Sequence, residues 1–368
     1  MKPKLMITLS VAFLSIFMHN CESLVNRFEA TEKAQCYRAN HVVSFPTIID
    51  TIKVMTWNIR FGARRILWFG DSCGDRVILT KEEVLAGLEG IARKIYEEKP
   101  DIVFLQEVDV DCKRTAYIDQ VQWLLDNTDL NYGAYASMWQ AQVVPSDGLG
   151  RLNTGQAIIS RWKIQSAERI QLALRSDQDA LTRYFYLRRN LLKTRIAIPN
   201  VENFYALNIH AEAFSTDDTK QKHIQRCLEE LQRLDEDGAY FILGGDFNLL
   251  PPGSDSTDYC DEDACSGEHF HKAKDNPQHK EGSNYTPEIT WMQPLYDQFK
   301  SAVPLSDYLA NQSLYFTHTT NHPDGFWNRK LDYLFTNTEF VSGSDSTHQE
   351  AMMESDHCPV TAKWRIPR

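Results

Sequence analysis

Apolar runs of strand length recur along the chain, and they stop on polar side chains of catalytic type. TIKVMTW (51–57) runs into Asn58, DIVFLQE (101–107) closes on Glu107, and FYALNIH closes on His210. FILGGDFNLLPP (241–252) carries Asp246 and Asn248, and Asp356-His357 stand just before a last run near 358–365. Between these runs lie helical patterns. Val84, Leu85, Leu88, Ile91 and Ile95 share one face of 81–98, with Thr80 as N-cap. Ile224, Cys227, Leu228, Leu231 and Leu234 share one face of 216–235, with Asp217 and Asp218 favouring its first turn. Strands interleaved with helices imply a layered α/β fold. Polar groups gathered at strand ends imply one shared pocket, since ligands of such folds sit at the carboxyl edge. After the central stretch, Pro251 and Pro252 block the ladder from continuing. Asp246 and Asn248, two residues apart on extended backbone, project the same way.

Further strands are expected near 132–138, 154–159, 167–173, 190–198, 313–318 and 330–335, and a helix over about 114–127. VPSDGLGRLN reads as a loop, and 253–285 as a long polar surface loop. There, His269, His271 and His279 accompany Asp261, Glu262 and Asp263, but their spacings do not fit a structural zinc module.

The chain of 368 residues has a formal charge of −11, so its surface as a whole does not attract polyanions, although a local basic groove can coexist with that charge. Lys2 and Lys4 precede the apolar stretch Leu5 to Met18, which is short for a bilayer span and reads as an export signal over 1–20. Cys21 follows at once and resembles a lipid-modified cysteine, which would make a membrane tether; simple cleavage and release is the rival expectation. The protein is thus expected to be exported, as a periplasmic or outer-surface lipoprotein or in secreted form. Residues 21–50 read as a tether and 51–368 as the folded domain, expected to act as a monomer. The chain contains 8 cysteines, and export suggests disulfides among them. Cys260 could pair with Cys265 and Cys73 with Cys112; Cys227 and Cys358 read as core thiols, and Cys36 has no evident partner.

WN (57–58), LQE (105–107), NIH (208–210), GDFN (245–248), LDY (331–333) and SDH (355–357), in that order, resemble the endonuclease/exonuclease/phosphatase superfamily, as does GQAIISR (155–161). The resemblance spans about 51–368 and implies a four-layered α/β/β/α sandwich of two packed mixed sheets. It also implies a phosphoesterase using Mg²⁺, with Mn²⁺ as substitute, because a hard cation neutralises the anionic centre and needs only one or two carboxylates. Glu107 and Asn58 would be metal ligands, with Asp356 near the metal. His357 would act as general base or electrostatic stabiliser, oriented by Asp332. Asp246 would orient or deprotonate water, and Asn248 and His210 would hold phosphate oxygens.

The expected substrate is a phosphodiester, either of nucleic acid or of a phospholipid. A nuclease needs basic residues beside the cleft, for which Arg60, Arg64, Arg65, Arg183, Arg188 and Arg189 are candidates. A sphingomyelinase-like enzyme needs an exposed apolar loop, for which ILWFG (66–70) and YFYL (184–187) are candidates. A non-catalytic surface binding module would be marked by loss of motif residues, and none is missing.

Overall fold

The computed structural model describes residues 25–47, 49–70, 73–144, 146–265, 282–319 and 327–367. The expected signal segment, Cys21, His269, His271 and His279 lie outside the described residues. Fourteen strands are described: β1 Thr31–Lys33, β2 Gln35–Arg38, β3 Thr51–Asn58, β4 Ile102–Asp109, β5 Tyr132–Val144, β6 Gly150–Ser160, β7 Ile164–Gln171, β8 Asn190–Ile196, β9 Phe204–His210, β10 Tyr240–Asp246, β11 Lys300–Ser301, β12 Asp332–Thr336, β13 Ser346–Thr347 and β14 Val360–Arg365. The main helices are α1 Lys81–Glu98, α2 Gln120–Asp126, α3 Ala180–Phe185 and α4 Thr219–Glu236.

The strands form two mixed sheets of seven, ordered β13-β14-β3-β4-β6-β5-β2 and β1-β7-β8-β9-β10-β12-β11. Each sheet holds one parallel pair, β3 with β4 and β9 with β10. A parallel pair needs a crossover, and α1 and α4 supply the two crossovers. Alternation along the strands sorts the layers. Val54, Ile102, Phe104, Ala206, Ile242 and Leu334 face between the sheets. Met55, Trp57, Val103 and Leu105 face outward onto Val84, Leu88, Ile91 and Ile95 of α1. Leu207, Ile209, Phe241 and Leu243 face outward onto Ile224, Leu228 and Leu231 of α4. The result is the expected four-layered sandwich. Gly244 stands where an added Cβ would meet the Phe104 ring at 2.9 Å, so the two sheets close tightly just below the β10 terminus.

Helix α1 starts as the sequence indicates. Thr80 accepts from the Glu83 N–H, and Glu83 accepts in return from the Thr80 N–H, a complete capping box. Several expectations are corrected. Within the expected tether 21–50, residues 31–38 carry β1 and β2, which pair with β7 of one sheet and β5 of the other. This strap joins the two sheets along one side; its short strands lack a periodic apolar signal because both are sheet edges. The loop expected at VPSDGLGRLN carries strand at Val144 and again over 150–153, since β5 and β6 form one long hairpin turning at Ser146–Gly148. The helix expected over 114–127 splits into a 3-10 turn at Lys113–Thr115 and α2, because Ala116 and Tyr117 have positive φ. The strand expected near 313–318 is instead a 3-10 turn at Gln312–Tyr315 followed by isolated bridges from His318.

The cysteines also differ from expectation. Cys73 bonds Cys265, not Cys112 or Cys260, and so joins the loop after β3 to the loop after β10. Cys112 is buried, and its thiol contacts backbone at Asn153. Cys227 and Cys358 are buried thiols, as expected.

Candidate active site

Register brings the side chains together. Asp246 at the end of β10 lies opposite His210 on one neighbour and opposite Asp332 on the other. These three residues and Asn58 all fall on the inter-sheet face of their strands. Glu107 should not join them, because strict alternation would turn it outward with Leu105. A bulge between Leu105 and Val108, with Glu107 at φ 53°, re-aims its side chain toward the opposite sheet. Beneath the site, Gln106 Nε2 donates across the sandwich to Asn208 Oδ1 at 2.7 Å, and Asn208 Nδ2 donates to the carbonyls of Leu105 and Ala157.

Asp246 is the hub. Its Oδ2 accepts from Asn58 Nδ2 at 3.0 Å and lies 3.5 Å from His210 Nε2 and 3.6 Å from His357 Nε2. Asn58 Nδ2 also donates to Glu107 Oε1 at 3.1 Å, and His210 Nε2 stands 3.9 Å from the same oxygen. His357 Nδ1 donates to Asp332 Oδ2 at 2.8 Å. Asn248, in the left-handed region at φ 48°, donates its N–H to Asp246 Oδ1 at 3.0 Å and its side-chain amide to the Ala211 carbonyl at 3.2 Å. Asp356 meets Arg60 Nε at 3.2 Å, so its charge is matched by a guanidinium at the site's flank.

Burial alone would strip His357 of its proton, but Asp332, Asp246 and Asp356 outweigh it and raise its pKa to about 10. The ring is therefore an imidazolium at neutral pH, with Nε2–H turned toward Asp246. Burial raises the Asp246 carboxyl to about 6, despite the opposing pull of His357. Burial, Arg189 and His357 push His210 well below the usual histidine range, so it stays neutral. Two buried histidines in one site thus carry different charges, set by their neighbours.

The donor set suits a hard divalent cation. Glu107 and Asp246 present carboxylate oxygens around one amide, and the Glu107 side chain keeps 24 % exposure toward the outside. Asp246, Asp332 and His357 place ligand atoms within 4.8 Å of one another, as do His318, Asp356 and His357. The Asn58 amide oxygen faces the Arg60 N–H at 3.1 Å, so its nitrogen is the atom that faces the carboxylates.

The sequence reading passed over Ser355 and His318. Ser355 Oγ donates to the Asn58 carbonyl at 2.8 Å and accepts from the His357 N–H at 3.2 Å, joining the ends of β3 and β14. It lies inside the SDH triplet, which was the available signal. His318 packs its ring 4.3 Å from that of His357, and no local pattern marks it.

Most of the expected basic flank is engaged inside the protein. Arg60, Arg65, Arg188 and Arg189 are buried. Arg60 donates to the carbonyls of Arg64 and Ile66, and Arg188 to those of Tyr184 and Tyr186. Arg183 donates to the Gln178 carbonyl, and Arg64 meets Glu354 at 3.6 Å. The expected apolar loops are partly absorbed in packing, with Leu67 left exposed and residues 184–187 half-buried. Trp68 is buried against Phe61 and donates to the Val77 carbonyl, while Tyr184 and Phe185 pack onto the core under α1.

Two mixed sheets face to face, with a carboxylate–amide–imidazole edge shared between them, define an α/β sandwich class whose members are generally phosphodiesterases or related hydrolases. The chain belongs to the endonuclease/exonuclease/phosphatase family, whose model matches residues 55–357. No curated protein sequence matches it. Solved structures similar in fold include an endonuclease/exonuclease/phosphatase from Beutenbergia cavernae DSM 12333, at TM-score 0.56 and 17% identity over 86% of this chain and 72% of that one. The human Nocturnin catalytic domain with bound sulfate anion has TM-score 0.50 and 16% identity over 90% and 96%. A family protein from Leptotrichia buccalis C-1013-b has TM-score 0.50 and 17% identity over 84% and 98%.

Proposed function

We propose that the protein is an exported phosphodiesterase, nuclease-like in its action and dependent on Mg²⁺ or Mn²⁺. The observation that carries the reading is the meeting of Asn58, His210 and His357 on one oxygen of Asp246. Glu107 and Asp246 would hold the cation, with Asp356 nearby and Asn58 aligning the two carboxylates through its Nδ2; when bound, it would neutralise charge on the phosphoryl oxygens. Asp246 accepts a proton from the attacking water. His357, held as an imidazolium by Asp332, donates its Nε2 proton to the leaving oxygen. His210 and Asn248 hold non-bridging oxygens. Water thus adds to phosphorus, the ester P–O bond breaks, and the products are a phosphomonoester and an alcohol.

Export is supported by the Cys73–Cys265 disulfide, since such bonds persist in oxidising compartments. Attachment through a lipidated Cys21 belongs to the same proposal.

The test is one panel of plasmid DNA, RNA, sphingomyelin and bis-p-nitrophenyl phosphate, each with Mg²⁺ and with EDTA. Metal-dependent cleavage of the nucleic acids and of the small diester is expected. Cleavage of sphingomyelin alone would move the substrate to lipid headgroups. Failure on every substrate, with no Mg²⁺ binding, would leave a binding module.

A further inference from the structure

Asn248 combines a demanding backbone with a central position. A non-glycine residue at φ 48° occupies a sparsely populated region and persists only where its surroundings hold it. Its N–H is held by Asp246 and its side-chain amide by Ala211. Its carbonyl is held by Lys220, whose Nζ donates to it at 3.2 Å. Lys220 lies in the first turn of α4 and is only 2% exposed. An unpaired ammonium at that depth is strongly disfavoured. Glu288 Oε2 supplies the counter-charge at 2.7 Å, and the Tyr285 ring centroid lies 5.0 Å away.

Glu288 comes from the far end of the excursion that leaves the site after Pro252. That excursion is held to the body by Arg329, which pairs with Asp263, and by the Cys73–Cys265 bond. The ammonium therefore sits between this excursion and the backbone that aims the GDFN side chains. The residues identified above as touching substrate do not include it.

We infer that Lys220 is a positioning residue: held by Glu288, it keeps the Asn248 peptide in its left-handed turn and so keeps Asn248 and Asp246 aligned for transfer to water. This rests on the phosphoesterase reading. Without the ammonium the Asn248 carbonyl loses its buried donor, the peptide relaxes, and the N–H bond to Asp246 Oδ1 weakens. Substrate still binds, but the water-activating carboxylate is misaligned.

The experiment compares Lys220→Met, Glu288→Gln and the double variant Lys220→Met/Glu288→Met, using bis-p-nitrophenyl phosphate with Mg²⁺. The double variant replaces the whole buried pair by apolar side chains, which proteins tolerate better than loss of one partner. Lys220→Met and the double variant should lower kcat about ten- to a hundred-fold, as small misplacements do. KM should stay within about two-fold, the signature of an interaction felt in the transition state. Glu288→Gln removes the counter-charge and favours the neutral amine, which still donates from Nζ to the Asn248 carbonyl, so kcat should stay within about three-fold, even with a lowered Tm. A folded double variant with wild-type kcat overturns the inference. If the wild type itself turns nothing over, the phosphoesterase reading falls. Hydrogen exchange over residues 246–250 then decides the positioning: faster exchange in the double variant supports it, and unchanged exchange overturns it.

Discussion

His357 Nδ1 and Asp332 Oδ2 are 2.8 Å apart, both buried, and this bond fixes which ring nitrogen faces the reaction. The Asp332 carboxylate accepts the hydrogen bond from Nδ1–H, so Nε2 is left to face Asp246. His357→Ala is expected to lower kcat by roughly 10²–10⁴-fold, the usual range for a lost general acid or base. Near-wild-type turnover would remove the residue from the mechanism.

The same bond has a pH signature. Burial favours the neutral ring, while Asp332 and Asp246 hold the proton on it and raise its pKa to about 10. Activity that needs the imidazolium therefore persists into mildly alkaline solution. Asp332→Asn removes a negative partner, which lowers the pKa. The alkaline limb of the kcat profile should move to lower pH in that variant, and an unmoved limb would refute the imidazolium assignment.

Chelation should abolish turnover, and Mg²⁺ or Mn²⁺ should restore it. Glu107 is the carboxylate the bulge re-aims toward the site, with a partly exposed side chain. Glu107→Gln keeps the shape and removes a charge, so it should weaken Mg²⁺ binding in calorimetry at least about ten-fold while Tm changes little. Equal affinity in wild type and variant would relocate the cation.

Stability should fall with acid through a histidine remote from the phosphoryl chemistry. His223 accepts at Nδ1 from the Glu212 N–H and donates at Nε2 to the Ala173 carbonyl. Burial lowers its pKa from 6.5 to about 4. The unfolded chain takes up a proton on this residue near 6.5 and the folded chain only near 4, so between those values the unfolded state binds more protons. Folding stability therefore drops as pH falls through that window, by up to about 3 kcal/mol. Urea unfolding of wild type and His223→Gln at pH 7.5 and 4.5 checks this, and the variant should lose less stability than wild type.

The disulfide closes a long loop, with a sequence separation of 192. Replacing Cys73 and Cys265 by serine should lower stability by about 2–4 kcal/mol, more than replacing one short-range contact. Peptide mapping of the unreduced protein should recover the Cys73–Cys265 pair. Recovery of Cys260–Cys265 or Cys73–Cys112 instead would reject it.

The sequence by itself determined a layered α/β fold and most of the edge chemistry, while the count of four layers came with the resemblance of its motifs. Helical spacing assigns the core faces of α1 and α4, and the apolar runs of β3, β4, β9 and β10 end on Asn58, Glu107, His210 and Asp246. These are local properties, readable because each strand or helix carries its own burial pattern. Only the tertiary structure decided what depends on distant partners. The bulge that turns Glu107 inward is a register event between β4 and β6. The strap at 31–38 forms strands only because two sheet edges are available to it. Cysteine pairing, the charge of each histidine and the engagement of the arginines likewise follow from neighbours far away in sequence. Local periodicity records which face a side chain takes, whereas pairing, protonation and aim are set by whatever the folded chain brings opposite it.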